Sequence, residues 1–159
     1  MVRLRCTQRV HKRFGLEPSL EAAVSTTLLG DWHAHLLNAG RSRCVSERAL
    51  LPVIVPARKA TFPGSLSSSL RAVLAELGIP SAEIEREIVE MAQKRVGRTR
   101  SRQVLGVMND FAIAAKLFLR GDTGPIEVAL KFARTPSKPL DYESPERIVR
   151  SLFASQRAS

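Results

Sequence analysis

Three side chains that can bind a metal ion alternate with other residues after Gly30. They are Asp31, His33 and His35. Carboxylate and imidazole groups are ordinary ligands of zinc and iron. A strand would place all three on one face, whereas a helix would spread them around its axis. A short His-x-His is a weak motif, and Asp31 also suits a helix N-cap. We therefore favour exposed histidines beside a capping residue, and expect no metal or other cofactor.

A second group of residues favours the binding of an anion. Arg98, Arg100 and Arg102 alternate with Thr99 and Ser101, between two predicted helices. Free N–H groups at the start of a helix attract an anion, and three guanidinium groups add positive charge. The sequence therefore predicts an anion site, suited to a phosphate or a nucleic-acid backbone, at Arg98, Arg100, Ser101 and Arg102.

The helix predicted over residues 101–120 carries polar residues opposite its apolar stripe. Asn109 and Asp110 lie there beside Gly106, where the missing side chain would let a backbone or a ligand approach. Since apolar residues flank Asp110, we expect it to be partly covered. One hypothesis is an enzyme, such as a hydrolase, that uses Asp31, Asn109 and Asp110. The other is that Asn109 and Asp110 hydrogen-bond structural backbone groups, the commoner role of buried polar side chains.

The net charge of +10 comes from two short segments. Residues 1–16 and residues 94–102 each contain five basic residues and no acidic one, and the charges elsewhere cancel. If the two segments meet in space, they form a concentrated positive field of the kind that attracts nucleic acid or another polyanion. The alternative is two separate basic faces that are simply solvated.

The first part of the chain predicts a small sheet. Val2–Cys6 alternates apolar and basic residues, as does a strand with one buried face. A short helix follows from Thr7 and stops at Gly15. We interpret residues 31–37 as a helix, although their apolar residues also alternate. Residues 43–47 and 50–56 predict an antiparallel hairpin.

The second part of the chain predicts helices. Apolar spacing and stop signals place them at about residues 66–77, 81–97, 101–120 and 125–132, with an extended connector over 134–141 and a last short helix after Pro145. The predicted fold is a single α+β domain over residues 1–159. A small antiparallel sheet, made of the N-terminal strand and the hairpin, packs against a mostly helical second half.

The apolar positions on the inner faces of these predicted helices and strands indicate one hydrophobic core. Its expected members are Trp32, Val53, Val55, Leu74, Ile88, Met108, Phe111 and Phe118. Cys6 and Cys44 lie in alternating apolar segments away from any metal-binding spacing, so we expect them to be small buried hydrophobic residues in a reducing cytosol.

Composition and motifs exclude several classes of protein. With 44% hydrophobic and 25% charged residues, the chain is neither disordered, collagen-like nor a disulfide scaffold. The longest apolar stretch, Ala49–Ala57, contains two prolines and is far shorter than the roughly 20 residues that span a membrane. The motifs of P-loops, dinucleotide-binding turns, nucleophile elbows and zinc-protease helices are absent from the sequence.

Three motifs together resemble a small bacterial family that is classed as a domain of unknown function. They are Leu29-Gly30-Asp31-Trp32, Ser46-Glu47-Arg48-Ala49-Leu50-Leu51-Pro52 and the segment from Ser101 to Phe111, with its Met108-Asn109-Asp110-Phe111. Arg5-Cys6-Thr7 and the segment from Thr135 to Tyr142 are also similar, so the resemblance covers nearly the whole chain. It implies a free-standing cytoplasmic protein and brings no established activity or cofactor. The family typically has Tyr and Asn in place of His33 and His35, which argues further against a metal.

The leading hypothesis is a non-catalytic cytoplasmic module whose basic surface binds nucleic acid or another polyanion. The clustered arginines favour it. The first alternative is the enzyme built on Asp31, Asn109 and Asp110. The second is a module that binds a protein partner and regulates it. No contact with a membrane is expected.

Overall fold

A computed structural model describes residues 1–20, 24–37, 40–99, 102, 104–110 and 123–159 of the chain. The strands are β1 (Val2–Cys6), β2 (Trp32–Leu37), β3 (Arg41–Ser46), β4 (Pro52–Pro56) and β5 (Lys94–Arg98). The helices are α1 (Gln8–Phe14), α2 (Ser65–Glu76), α3 (Ser81–Glu90), α4 (104–110 among the described residues), α5 (Pro125–Ala133) and α6 (Pro145–Ala158), with a 3₁₀ turn at Lys138–Leu140.

The described strands form one mixed sheet in the order β4-β3-β2-β1-β5. β1 lies in its interior and runs parallel to both neighbours, β2 and β5. β3 is antiparallel to β2 and to β4, which confirms the predicted hairpin. The predicted α+β class is confirmed, with two parallel pairings in addition to the antiparallel ones.

The helix predicted for residues 31–37 is wrong, because Trp32–Leu37 forms strand β2. Its two neighbours in the sheet pair with it on both sides, β1 through Leu4 opposite Trp32 and β3 through Ser46 opposite Trp32. Backbone pairing on both edges decides the conformation where the side-chain pattern fits either structure. The alternation of Trp32 and Ala34 with His33 and His35 is therefore that of a strand.

The helix predicted for residues 81–97 is too long. α3 ends at Glu90, and Lys94–Arg98 forms strand β5. The prediction used Lys94 and Arg95 as cations that complement the negative end of a helix. In the structure these residues instead pair with β1, and only Val96 among the residues of β5 packs against the main hydrophobic core.

The two faces of the sheet carry two hydrophobic clusters. The main core includes Trp32, Val53, Val55 and Leu74, as predicted, and Ile88 packs against it while partly exposed. Met108 belongs instead to a second cluster with Val45, Leu50, Val104 and Val107. Val45 and the main-core residue Cys44 are successive residues of β3, so α4 covers the opposite face of the sheet. Phe111 and Phe118 lie outside the described residues.

Both cysteines are buried and free, which confirms their predicted place in the core. Burial raises the pKa of the Cys6 thiol to about 12, and it raises the pKa of Cys44 as well. The thiolate is the reactive form of cysteine, so both thiols are poor nucleophiles at neutral pH.

The last helix is longer than predicted. α6 has 14 residues, and the Ser144 hydroxyl caps it by accepting the Arg147 N–H at 3.4 Å. In the part of the chain that the structure describes, no helix has both the length and the apolar character that crossing a membrane requires.

Candidate polyanion-binding surface

The two basic segments meet as neighbouring strands. In the parallel pairing of β1 with β5, Arg3 lies opposite Arg95, Val2 opposite Lys94 and Cys6 opposite Arg98. These positions are more than ninety residues apart in the chain. Their pairing concentrates in one region the positive charge that the sequence divides between its start and residues 94–102.

Arg3 and Arg5 project from the face of β1 opposite its core residues, as the alternation predicts. The Arg5 guanidinium has two partners: its Nε lies 2.6 Å from Asp31 Oδ2, and its Nη1 donates to the Arg98 carbonyl at 3.3 Å. Gly97 lies opposite Arg5, and a Cβ there would contact the Arg3 Cδ at 3.5 Å. These arginines thus pack on the sheet, and Arg5 ties it together.

His11 joins α1 to β5. Its Nδ1 lies 3.0 Å from the Leu16 carbonyl oxygen, and its Nε2 lies 3.2 Å from the Gly97 carbonyl oxygen. A carbonyl oxygen only accepts, so the ring donates wherever its nitrogen carries a proton. This side chain holds α1 against the end of β5.

Five exposed cations belong to the elements that meet here, and we call them the basic surface: Arg9, Lys12 and Arg13 of α1, Arg98 at the end of β5, and Arg102 four residues later. None of the five forms a salt bridge with a described residue. Their charges are therefore available to a partner in solution.

The backbone of the predicted anion-binding loop differs from the expectation. Arg98 is the last residue of a strand instead of part of a loop between helices, and the Thr99 hydroxyl donates to the Arg5 carbonyl at 3.3 Å. Arg102 is exposed, as an anion contact requires. Arg100 and Ser101 lie outside the described residues, so their part in the predicted site stays a prediction.

Asp31 belongs to a buried network. The residue is 7% exposed, and its carboxylate accepts hydrogen bonds from Arg5 and from the Ser25 hydroxyl. It lines a polar cavity of about 230 Å³ that also touches Arg3 and Arg48. Both carboxylate oxygens have partners, as expected of a structural carboxylate.

Asn109 and Asp110 lie apart from that cavity. Both are exposed on α4, so the expected partial burial of Asp110 is wrong. α4 turns Val104, Val107 and Met108 towards the sheet, where the Met108 carbonyl accepts a hydrogen bond from the Arg43 guanidinium. None of the described pockets is lined by both Asp31 and Asp110, so their convergence in an active site stays a prediction.

His33 and His35 share a face with Asp31, as a strand requires. His33 is fully buried, so the expected exposure of the histidines is wrong for this residue. Burial and, to a lesser extent, the Arg5 charge lower its pKa to about 4, although Asp31 opposes the change. Burial also lowers the pKa of the half-exposed His35. Among the described residues, no group of three or more His, Cys, Asp or Glu side chains could hold a metal ion.

A family model described as a domain of unknown function, DUF6933, matches residues 3–148. The chain belongs to the DUF6933 family. The match includes β1 from Arg3 onwards, α1, β5 and α4, so the DUF6933 domain contains nearly all of the junction described above. No curated protein and no solved structure matches this chain.

Sequence reasoning missed two residues that organise the DUF6933 surface, Arg5 and His11. Arg5 could have been placed on one face with Arg3 from the alternation of β1, but its partner Asp31 follows only from the pairing with β2. His11 contacts a carbonyl 86 residues away. No local pattern indicates such a contact.

Proposed function

We propose that this DUF6933 protein binds nucleic acid through the phosphate backbone, using the basic surface. The observation that carries the proposal is the parallel pairing of β1 with β5, which brings together the two segments that hold the excess charge. At physiological salt, exposed charges are screened over about 8 Å, so only cations gathered in one region act together on a polyanion.

The types of side chain that are exposed favour contact with phosphates over stacking with bases. Four of the six Phe residues and the single Trp are buried in the described part of the chain, where Tyr142 is the one exposed aromatic residue. Proteins that grip single strands use exposed aromatic side chains on which bases stack. The basic surface offers guanidinium and ammonium groups instead, so its binding should tolerate many sequences.

The cysteines are compatible with this partner. Both are free and buried, which fits a reducing compartment such as the bacterial cytoplasm, where nucleic acid is abundant. We include cytoplasmic location in the proposal.

The deciding experiment is a titration of duplex DNA and of RNA across a series of salt concentrations. Each phosphate contact releases counterions, so the logarithm of the affinity should fall against the logarithm of salt with a slope of about −0.9 per contact on duplex DNA. If the protein binds neither polymer in a salt-dependent way, the proposal is wrong.

A matched pair of variants locates the contact. Arg9→Gln/Lys12→Gln should reduce the salt slope by up to about 1.8, because two contacts are lost. Arg86→Gln/Lys138→Gln removes the same charge from exposed positions outside the basic surface and should keep the original slope. Equal losses in both variants would mean that net charge, and no particular surface, attracts the polymer.

A further inference from the structure

A cavity of about 450 Å³ opens where β1 and β5 end. Cys6 and Thr7 border it from the end of β1, Arg98 and Thr99 from the end of β5, and Leu105 from α4. Its size falls in the range of small-molecule sites, about 300–1,000 Å³. No acidic residue is among the described residues that line it.

Three side chains at this cavity donate no hydrogen bond to a described residue. The Thr7 hydroxyl oxygen is buried and has no hydrogen-bond partner among those residues, an arrangement that costs free energy unless a ligand completes it. The side chains of Gln8 and Arg98 also make no hydrogen bond within the described part of the chain. By contrast, the Thr99 hydroxyl and the His11 ring already contact backbone carbonyl oxygens, and these two residues form part of the cavity wall.

The topology supports a ligand at this position. β1 and β5 are adjacent parallel strands, and both of their carboxyl ends border the cavity. After β1 the chain passes through α1 to β2, on the side of β1 away from β5. Sheets with parallel strands tend to bind ligands outside the carboxyl ends, at the point where successive connections leave in opposite directions.

We propose that this cavity binds a phosphate monoester. A phosphate group carries a charge of about −1.5 to −2 and three acceptor oxygens, which matches one guanidinium beside a hydroxyl and an amide. Pro18 and Leu105 supply an apolar wall for the body of the ester. The inference goes beyond the proposed nucleic-acid contact, because it concerns a small ligand inside a cavity.

Binding is tested by calorimetry with three probes: nucleoside 5′-monophosphates, sugar monophosphates and inorganic phosphate. We expect one of the two esters to bind more tightly than inorganic phosphate, since the cavity is larger than the anion alone. The nucleoside or sugar without its phosphate should not bind. The proposal is overturned if no ester binds at millimolar concentration.

Thr7→Val tests the site without changing any charge. Loss of a hydrogen bond to a charged group should weaken ester binding about tenfold. The fold should keep its stability, because the removed hydroxyl has no partner. Thr61→Val, which removes an exposed hydroxyl outside the cavity, is the control and should bind like the unchanged protein.

Leu105→Trp provides a second test, since the larger side chain should fill the cavity and abolish ester binding. Circular dichroism of each variant establishes that it is folded. Ester binding that is unchanged in both Thr7→Val and Leu105→Trp overturns the proposal. Both variants keep the basic surface, so duplex binding and ester binding can fail independently of each other.

Discussion

Arg5 and Asp31 form an ion pair across the boundary between β1 and β2, with Arg5 Nε 2.6 Å from Asp31 Oδ2. The side chain of Asp31 is 9% exposed and that of Arg5 is 18% exposed, so water screens the pair poorly. The Ser25 hydroxyl occupies the other carboxylate oxygen, and its own Oγ accepts the Arg3 N–H at 2.9 Å. A carboxylate thus lies among basic residues because it fastens β1 to the segment before β2.

Asp31→Asn should destabilise the fold. The amide has similar volume but no charge, and it leaves the Arg5 guanidinium without its counterion. Breaking a buried ion pair from one side costs about 3–5 kcal/mol in the free energy of unfolding, and the partial exposure of Arg5 places the expected loss at the lower end.

Asp110→Asn is the matched control for this carboxylate. Asp110 is exposed, so the loss there should be within about 0.5 kcal/mol. Urea unfolding of both variants measures the difference. Equal losses at the two positions would contradict the structural role of Asp31.

Replacement of His33 should alter the dependence of stability on pH. Both ring nitrogens are buried without a hydrogen-bond partner among the described residues, and burial is the main cause that lowers the pKa to about 4. An unfolded histidine has a pKa of about 6.5, so between these values the unfolded chain binds a proton that the folded chain does not. Stability should therefore fall by up to about 3 kcal/mol as the pH is lowered through this window.

His33→Phe should remove that part of the acid sensitivity, because Phe does not titrate. The free energy of urea unfolding, measured at several pH values from neutral down to the acid end of the window, gives the slope for each protein. His35→Phe, at a half-exposed position, should change the slope less. A slope that His33→Phe leaves intact would mean that other groups cause the acid sensitivity.

Two glycines should respond in opposite directions to alanine. Gly30, just before Asp31, has φ +78°, and a Cβ there would lie 3.0 Å from Arg48 Cγ. Gly30→Ala should cost about 1–3 kcal/mol, chiefly because a side chain is strained in the left-handed region. Gly106 is exposed in α4, and a Cβ there would meet none of the described residues within 4 Å.

Gly106→Ala should consequently raise stability by up to about 1 kcal/mol, the difference in helix propensity. Thermal unfolding of the two variants gives both signs in one experiment. Destabilisation by Gly106→Ala would show that this position needs a bare backbone, as the sequence first indicated.

The elements with one clear period could be predicted from the sequence. β1 alternates, α2 repeats every 3.6 residues, and Gly15 stops α1 in the left-handed conformation with φ 63°. Residues 31–37 satisfied both periods, and residues 94–98 followed directly on a helix pattern. In each case the deciding interaction was backbone pairing with neighbouring strands, β1 and β3 for residues 32–37 and β1 for residues 94–98, which local sequence does not encode.

The candidate surface shows the same division. The basic character of Arg98 and Arg102 could be predicted, because charge is a property of the residue itself. The contact between α1 and the end of β5 could not, since it depends on which strands become neighbours. The exposure of Asp110 could not be predicted from the sequence either, because it depends on how α4 packs on the sheet.

Because β1 lies between β2 and β5, one of its edges stays unpaired until β5 has been synthesised. β2 is synthesised soon after β1, but residues 94–98 follow much later. Until then β1 is an open strand edge, and such edges recruit strands from other chains. Arg3 and Arg5 give that temporary edge a positive charge, so two nascent copies should repel each other until β5 closes it.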